Sequence, residues 1–341
     1  MIRRRELLKS AGAAAGAALL NIPAIIPSRA QQGEPLTFMT PFGFIPDFLA
    51  LMNMVSGGFL AKQGFAPKLV GGQGTATAIQ QLLGGQVSFV YVSALDQILA
   101  VARQNAPLVA VSTLCQGSTF QMVSLKEKPI LTAQDLKGKT VGIVSVGGAT
   151  DILLNITLAK NGMKPDDVKR EVTGNSPGVL QMVRQGRVDC FMCAIGVATA
   201  LRRANEPVEI WSTDKYAPMP SQIFLTTKEI VSSKPDQVVR FLRALKGSAD
   251  EIMTGDIRQL FERASKDFEI TAIKDLDGAV ALMNASIQQL WLSEGKENLL
   301  LNVPRLWKDA NDNIRAGALP SVPNVEALYT NEFIDKAMKP T

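Results

Sequence analysis

Residues 79–92 read "IQQLLGGQVSFVYV" and residues 180–193 read "LQMVRQGRVDCFMC". Laid together, Gln80 falls on Gln181, Gly85 on Gly186 and Val87 on Val188, and an apolar run follows each time. Each copy reads as the end of a helix, a glycine turn and a buried strand, because the apolar spacing changes from helical to continuous where the glycine stands. A chain that builds this unit twice, about a hundred residues apart, builds two similar α/β bodies.

The residues on either side extend both series. A strand at "PLTFMT" is followed by the turn "FGFIPD", a helical pattern over residues 47–63, the strand "FAPKLV", the glycine loop Gly71, Gly72, Gln73, Gly74, and a helix to Leu83. After the first copy come a helix over 94–103 and a strand over 108–113. A strand at 120–125 then precedes a restart. "LTAQDLKGKTVGIVSVGGAT" carries Thr132 and Asp135 at capping-box spacing, a strand over 140–144, a glycine loop and a helix over 150–161. A strand at 170–172, the loop "TGNSPG", the second copy, a helix over 197–204 and a strand over 208–211 complete it. "SQIFLTTKEIV" leads out, and from Lys234 the pattern is helical. Alternating strands and helices predict mostly parallel sheets covered by helices. The expected organisation is a first lobe over 34–119, a second over 120–221, and a return to the first lobe with C-terminal helices over 222–341. Two crossing segments join the lobes, and the cleft between them is the expected ligand site.

The first thirty residues read differently. Arg3, Arg4, Arg5 and Lys9 precede an Ala/Gly/Leu run and "IPSRA", the pattern of a cleaved export signal ending near Ala30. Its "RRELLK" segment resembles a twin-arginine (Tat) motif, with Sec export the alternative. The apolar stretch is too short to span a bilayer, which takes roughly twenty residues. Without this segment the charge falls from +5 to 31 basic against 30 acidic groups, so the basic balance belongs to the signal. No basic stripe with interleaved aromatics points to nucleic acid. The chain is therefore expected outside the cytoplasm, in the periplasm.

Histidine is absent and cysteine occurs three times, at 115, 190 and 193. Ser-His-Asp catalysis, Cys-His catalysis and histidine-based zinc sites are excluded by composition. Cys190 and Cys193 have redox-motif spacing but lie in an apolar strand, three apart, so they face opposite sides and read as packing residues. No metal site and no cofactor are expected.

Several stretches carry a family resemblance: Gly64-Phe65 before an extended run, the "GGQ" turn, "DLKGKTVGI" (135–143), "LAKNGMKPDDV" (158–168) and "VRQGRVD" (183–189). Their order resembles the periplasmic solute-binding proteins of ABC importers, in the NMT1/THI5-like branch that includes nitrate, sulfonate and taurine receptors. The resemblance implies a type II periplasmic-binding-protein fold, two α/β lobes that close on a small molecule and deliver it to a membrane ABC permease. The turn after the first strand, Thr40 to Asp47, departs from the Trp and Asn common there, so ligand identity does not carry over. Eukaryotic thiamine-pyrimidine synthases of this branch consume an active-site histidine, which this chain lacks.

In open α/β sheets ligands sit beyond the carboxyl ends of strands, so the loops there supply the candidates. Phe42 and Phe44 can flank an apolar or aromatic ligand, and Asp47 can cap a helix or accept from a ligand amine. Gly74 with Thr75, and Ser145, Gly147, Gly148 and Thr150, stand at helix starts whose free N–H groups attract anions. Ser93 offers a hydroxyl at a third helix start, and Asn175 mirrors Thr75 in the second series. Each has a plain structural reading beside it: N-capping for Asp47, Thr75 and Ser93, core packing for the phenylalanines, turn chemistry for Asn175 before Pro177. The glycine-bearing starts lead to an anionic organic solute as the expected ligand. A ligand-sensing subunit for a membrane receptor, or an enzyme on the same scaffold, remain the alternative functions.

Overall fold

In the computed structural model, which describes residues 33–339, the doubled unit recurs as geometry. The export-signal expectation falls on residues 1–30, outside the described residues. The first series comprises β1 (Glu34–Thr40), α1 (Leu49–Ser56), α2 (Phe59–Lys62), β2 (Phe65–Gly71), α3 (Thr75–Leu83), β3 (Phe89–Ser93), α4 (Ala94–Gln104) and β4 (Leu108–Cys115). The second comprises β5 (Phe120–Leu125), β6 (Thr140–Ile143), α5 (Ala149–Lys160), β7 (Lys169–Val172), α6 (Val179–Arg184), β8 (Cys190–Ala194), α7 (Ile195–Arg203) and β9 (Val208–Ser212). β10 (Gln222–Thr227) follows, then α8 (Lys228–Ser233), α9 (Pro235–Thr254), α10 (Ile257–Ala264), α11 (Leu276–Ser286), α12 (Pro304–Ala316) and α13 (Glu332–Met338).

Two five-stranded sheets result, in the orders β2-β1-β3-β10-β4 and β7-β6-β8-β5-β9. They are the same sheet built twice. β10 lies antiparallel between β3 and β4, and β5 lies antiparallel between β8 and β9. Four of the five strands in each sheet therefore run the same way, as expected, and one reversed strand makes each sheet mixed. Each crossing segment delivers a strand from the opposite direction, and that strand completes the lobe it enters. Gly85 and Gly186 both sit at φ +70°, after α3 and α6, where a side chain is strained.

The helix expected over 47–63 is three pieces: a 3-10 turn at Pro46–Phe48, then α1 and α2, parted at Gly57 and Gly58. Gly58 takes φ +71°, a conformation that ends a helix.

One core lies between the first sheet and α1, α9 and α10, where Phe89 stacks on Phe241 at a centroid distance of 3.9 Å. A second core is shared: Ile98, Leu108 and Ile223 of the first lobe join Val141, Leu154 and Met192 of the second through Trp307 and Ile314 of α12. A third is private to the second lobe. Cys190 belongs to the shared core and Cys193 to the private one, on opposite faces of β8 as their spacing dictates. Burial pushes both thiols up, Cys193 to about 12, so neither is a ready nucleophile. The C-terminal helices do more than return to the first lobe. α11 packs on α7, and α12 on α5, where Lys160 Nζ donates to Asn313 Oδ1 at 2.7 Å. No helix among the described residues is long and apolar enough to cross a membrane.

Candidate functional site

One edge of each sheet faces the other lobe. β3, β4 and β8 end there at Ser93, Cys115 and Ala194, and the reversed strands β5 and β10 begin there at Phe120 and Gln222. A cavity of about 480 Å³ opens at this edge. The first lobe lines it with Phe42, Ile45, Asp47, Phe48, Tyr91 and Cys115, the second with Phe120, Asn175, Ala194, Gly196 and Val197. Thr119 and Gln222 line it where the lobes join, and Ser286, Leu290 and Trp291 from the C-terminal region close it. A larger concavity of about 590 Å³, bounded by Leu125, Lys139 and Asp189, lies at the opposite edge of the second sheet and touches one lobe only.

The loop after β1 is folded by its own hydrogen bonds. Thr40 Oγ1 donates to the Phe42 carbonyl, and the N–H groups of Gly72 and Gly74 donate to the carbonyls of Thr40 (3.1 Å) and Pro41 (2.6 Å). A Cβ on Gly72 would stand 2.4 Å from the Thr40 oxygen, so only glycine permits this approach. Pro46 starts the 3-10 turn and presents Asp47 in its first turn. Asp47 is not a cap, since Ile45 precedes the turn and Phe48 leads into α1. Burial raises its carboxyl above the usual range, opposed only by its own backbone N–H, and no cation acts on it.

Behind Asp47 the wall is aromatic. Phe48 meets Tyr91 edge-on at 5.8 Å, and the Tyr91 hydroxyl pairs with Cys115 Sγ at 3.3 Å. Burial raises the Tyr91 phenol strongly, with Cys115 and Asp47 adding to it, and holds the Cys115 thiol up at about 12. Leu290 and Trp291 come from a π-helical turn, Ile287–Trp291, that follows α11. The Leu290 carbonyl, in the last turn and so without an intrahelical donor, accepts from Gln116 N (2.8 Å) and Gly117 N (3.0 Å), pinning the first crossing segment to this wall.

The facing wall is polar backbone. Asn175 Oδ1 accepts from Ala194 N at 2.9 Å, and Ile195 N donates to the Thr119 carbonyl at 2.8 Å. Ala194 leads into α7 without a side-chain cap, so the first-turn N–H groups of Gly196 and Val197, residues that line the cavity, have no intrahelical acceptor. Two buried oxygens in the lining, the Ser286 hydroxyl and the Gln222 Oε1 acceptor, have no partner among the described residues. The lining holds one carboxylate, Asp47, and neither Lys nor Arg. Among the described residues no group of three His, Cys, Asp or Glu side chains is placed to hold a metal.

Of the residues singled out by sequence, the cavity brings together Phe42, Asp47 and Asn175. Phe44 packs instead on Phe268, at 4.8 Å between centroids. Ser93 Oγ accepts from Leu95 N at 3.1 Å as an N-cap, and Thr75 stands near the Asp96 carboxyl and helps to lower it against the rise from burial. The loop of Ser145, Gly147, Gly148 and Thr150 is satisfied internally: Val144 N donates to Thr150 Oγ1 at 3.0 Å and Gly147 N to Asp151 Oδ2 at 2.9 Å. Asp151 is itself paired with Arg170 at 2.8 Å, so the positive start of α5 already has its carboxylate. Tyr91, Gln222, Ser286 and Trp291 were not singled out. Tyr91 lies within β3, two residues before Ser93, and Gln222 stands at the amino end of the reversed β10, which a rule about carboxyl ends does not reach. Ser286 and Trp291 carry no sequence signal, because only the tertiary fold returns α11 to the cleft.

The family model for NMT1/THI5-like proteins matches residues 45–255. The chain is 25% identical over 261 residues to the riboflavin-binding protein RibY of Chloroflexus aurantiacus, covering 73% of this chain and 70% of that one. It is 23% identical over 316 residues to the 4-amino-5-hydroxymethyl-2-methylpyrimidine phosphate synthase of Aspergillus parasiticus, covering 88% and 87%. The periplasmic sulfonate-binding protein SsuA of Methylobacillus flagellatus superimposes with a TM-score of 0.65 at 15% identity, covering 90% of this chain and 94% of that one. Its fold, the periplasmic-binding-protein fold, is the fold of this chain.

Proposed function

The chain belongs to the NMT1/THI5-like family, and on that premise we propose that it is an extracytoplasmic solute-binding protein, which captures a small organic molecule between its lobes and delivers it to an ABC permease. The observation that carries this reading is the cavity of about 480 Å³ walled by both lobes and by the joints between them. That size suits a small organic molecule, and closure of two walls on it is how such folds bind. The crossings at 116–119 and 218–221 are the hinge of this reading, held together by Ser221 N on the Cys115 carbonyl at 2.8 Å. The export signal read at residues 1–30 and the fold's likeness to a periplasmic receptor support a periplasmic location. An anionic solute, expected from the glycine-bearing helix starts, finds its complement in the α7 N-terminus and Asn175 but no cationic side chain in the lining.

Relatives named as pyrimidine phosphate synthases bring an enzymatic reading. In this chain histidine is absent, and Tyr91 and Cys115 are held protonated by burial, which supports binding without turnover. The test is thermal shift of the mature protein against a library of small organic solutes, followed by product analysis with every hit. Stabilisation without turnover is the expected result, since a ligand at a hundred times its Kd adds about 2.7 kcal/mol. Product formation from a stabilising ligand overturns it.

A further inference from the structure

Within this cavity, and resting on the solute-binding reading, we infer that the solute presents an N–H-bearing cation, an amine or amidine group on an apolar or aromatic body, with Asp47 as its counter-ion.

The charge inventory of the lining carries the inference. Five aromatic rings, Phe42, Phe48, Tyr91, Phe120 and Trp291, line the cavity with a single carboxylate, and the lining has no Lys or Arg to balance it. A carboxylate without a partner in such surroundings is costly to keep ionised, and a ligand cation removes that cost. Aromatic faces attract the same cation through their negative quadrupole. Sulfonates, carboxylates and nitrate meet the opposite field on this wall.

The hydrogen-bonding inventory agrees and is independent of charge. Ser286 is only 3% exposed, yet its Oγ has no partner, and neither has the buried Gln222 Oε1. Two buried oxygens left open cost stability unless a bound molecule answers them. Gln222 Oε1 and the Asp47 carboxylate are acceptors that an N–H donor answers, and the Ser286 hydroxyl can accept beside them. The facing side, Asn175 and the first turn of α7, offers N–H groups and accommodates a carbonyl or hydroxyl at the solute's other end. The solute's cationic end thus lies at Asp47, on the first lobe.

The pH behaviour follows. Asp47 binds the cation only when ionised, so affinity falls as pH drops through its carboxyl range, which burial places above the ordinary one. Tyr91 and Cys115, the titratable groups facing it, stay protonated throughout.

The experiment uses matched triplets on the mature protein: 2-arylethylamine, 2-arylethanol and arylacetate, each with phenyl, indolyl and naphthyl bodies, beside alkyl and aryl sulfonates. Calorimetric titration is expected to rank the amine at least about ten-fold tighter than the alcohol of the best-fitting body, with the acetate weakest. Asp47→Asn is expected to erase the amine-over-alcohol difference, and Ser286→Ala to weaken the amine several-fold. A carboxylate or sulfonate binding more tightly than every amine overturns the inference while leaving solute binding intact. So does an Asp47→Asn variant, folded by circular dichroism, that keeps the amine affinity. If no compound of the panel or of the wider library shifts the wild-type midpoint, the solute-binding reading itself fails.

Discussion

Asp214 ties the first crossing segment to the 3-10 turn that follows β9. Its Oδ2 accepts from Ser118 N at 2.7 Å on the first crossing and from Ser212 Oγ at 3.0 Å. Burial raises it to about 6, and the charge of Glu294 adds to the rise. A carboxyl raised above its unfolded value binds a proton more readily when folded, so ionised Asp214 costs stability at neutral pH. That cost is relieved as pH falls from about 6 toward 4. Asp214→Asn is expected to stabilise the protein at pH 7.5 by up to about 3 kcal/mol and to gain nothing at pH 4, measured by urea unfolding at both. Glu34 and Glu251 run the other way. Arg240 and Arg263 lower them, so the stability they contribute is present at neutral pH and is lost on acidification. Of the chemistry-bearing residues, Asp47 and Asn175 were legible because they stand in loops after strands, whereas nothing local marks Asp214.

Elements repeat where single residues do not. Only three positions match between the two copies that open the sequence reading, yet α3 to β3 and α6 to β8 share one geometry because Gly85 and Gly186 take the same left-handed conformation. Nothing stands within 4 Å of where a Cβ would be at either glycine, so alanine there tests backbone strain alone. Gly186→Ala is expected to cost about 1–2 kcal/mol by thermal unfolding, with Asn costing less. Gly142 on β6 makes the opposite case. Its φ is ordinary, but a Cβ would lie 2.7 Å from that of Phe191 on β8, and two backbone-anchored atoms have little room to yield. Gly142→Ala is expected to cost about 1–3 kcal/mol through overpacking. The repeat was visible because glycine and apolar spacing encode turns locally. The π-helical turn at Ile287–Trp291 was not, because its five residues read as ordinary helix.

At the scale of the molecule, the lobes are less independent than two repeated series suggest. Trp307 is fully buried in the shared core and stacks on Tyr329 at 5.2 Å, while α12 also binds α5. A core drawn from both lobes couples their unfolding. Differential scanning calorimetry of the protein is expected to show one transition with matching calorimetric and van't Hoff enthalpies, and two resolved transitions count against the coupling. Trp307→Ala is expected to cost about 3–5 kcal/mol, read from the same scans.

What the sequence by itself determined is the order of strands and helices, the doubling of the lobe and the loops that face the cleft, all written in near-neighbour spacing. Tertiary structure decided which of those loops meet. It filled the anion-attracting start of α5 with Asp151 and Arg170, turned Thr75 toward Asp96, and brought Ser286 and Trp291 from the far end of the chain to stand around Asp47. The reason is physical: a helix start is attractive to an anion only until a nearby carboxylate satisfies it, and the charge of a cavity is set by residues far apart in the chain.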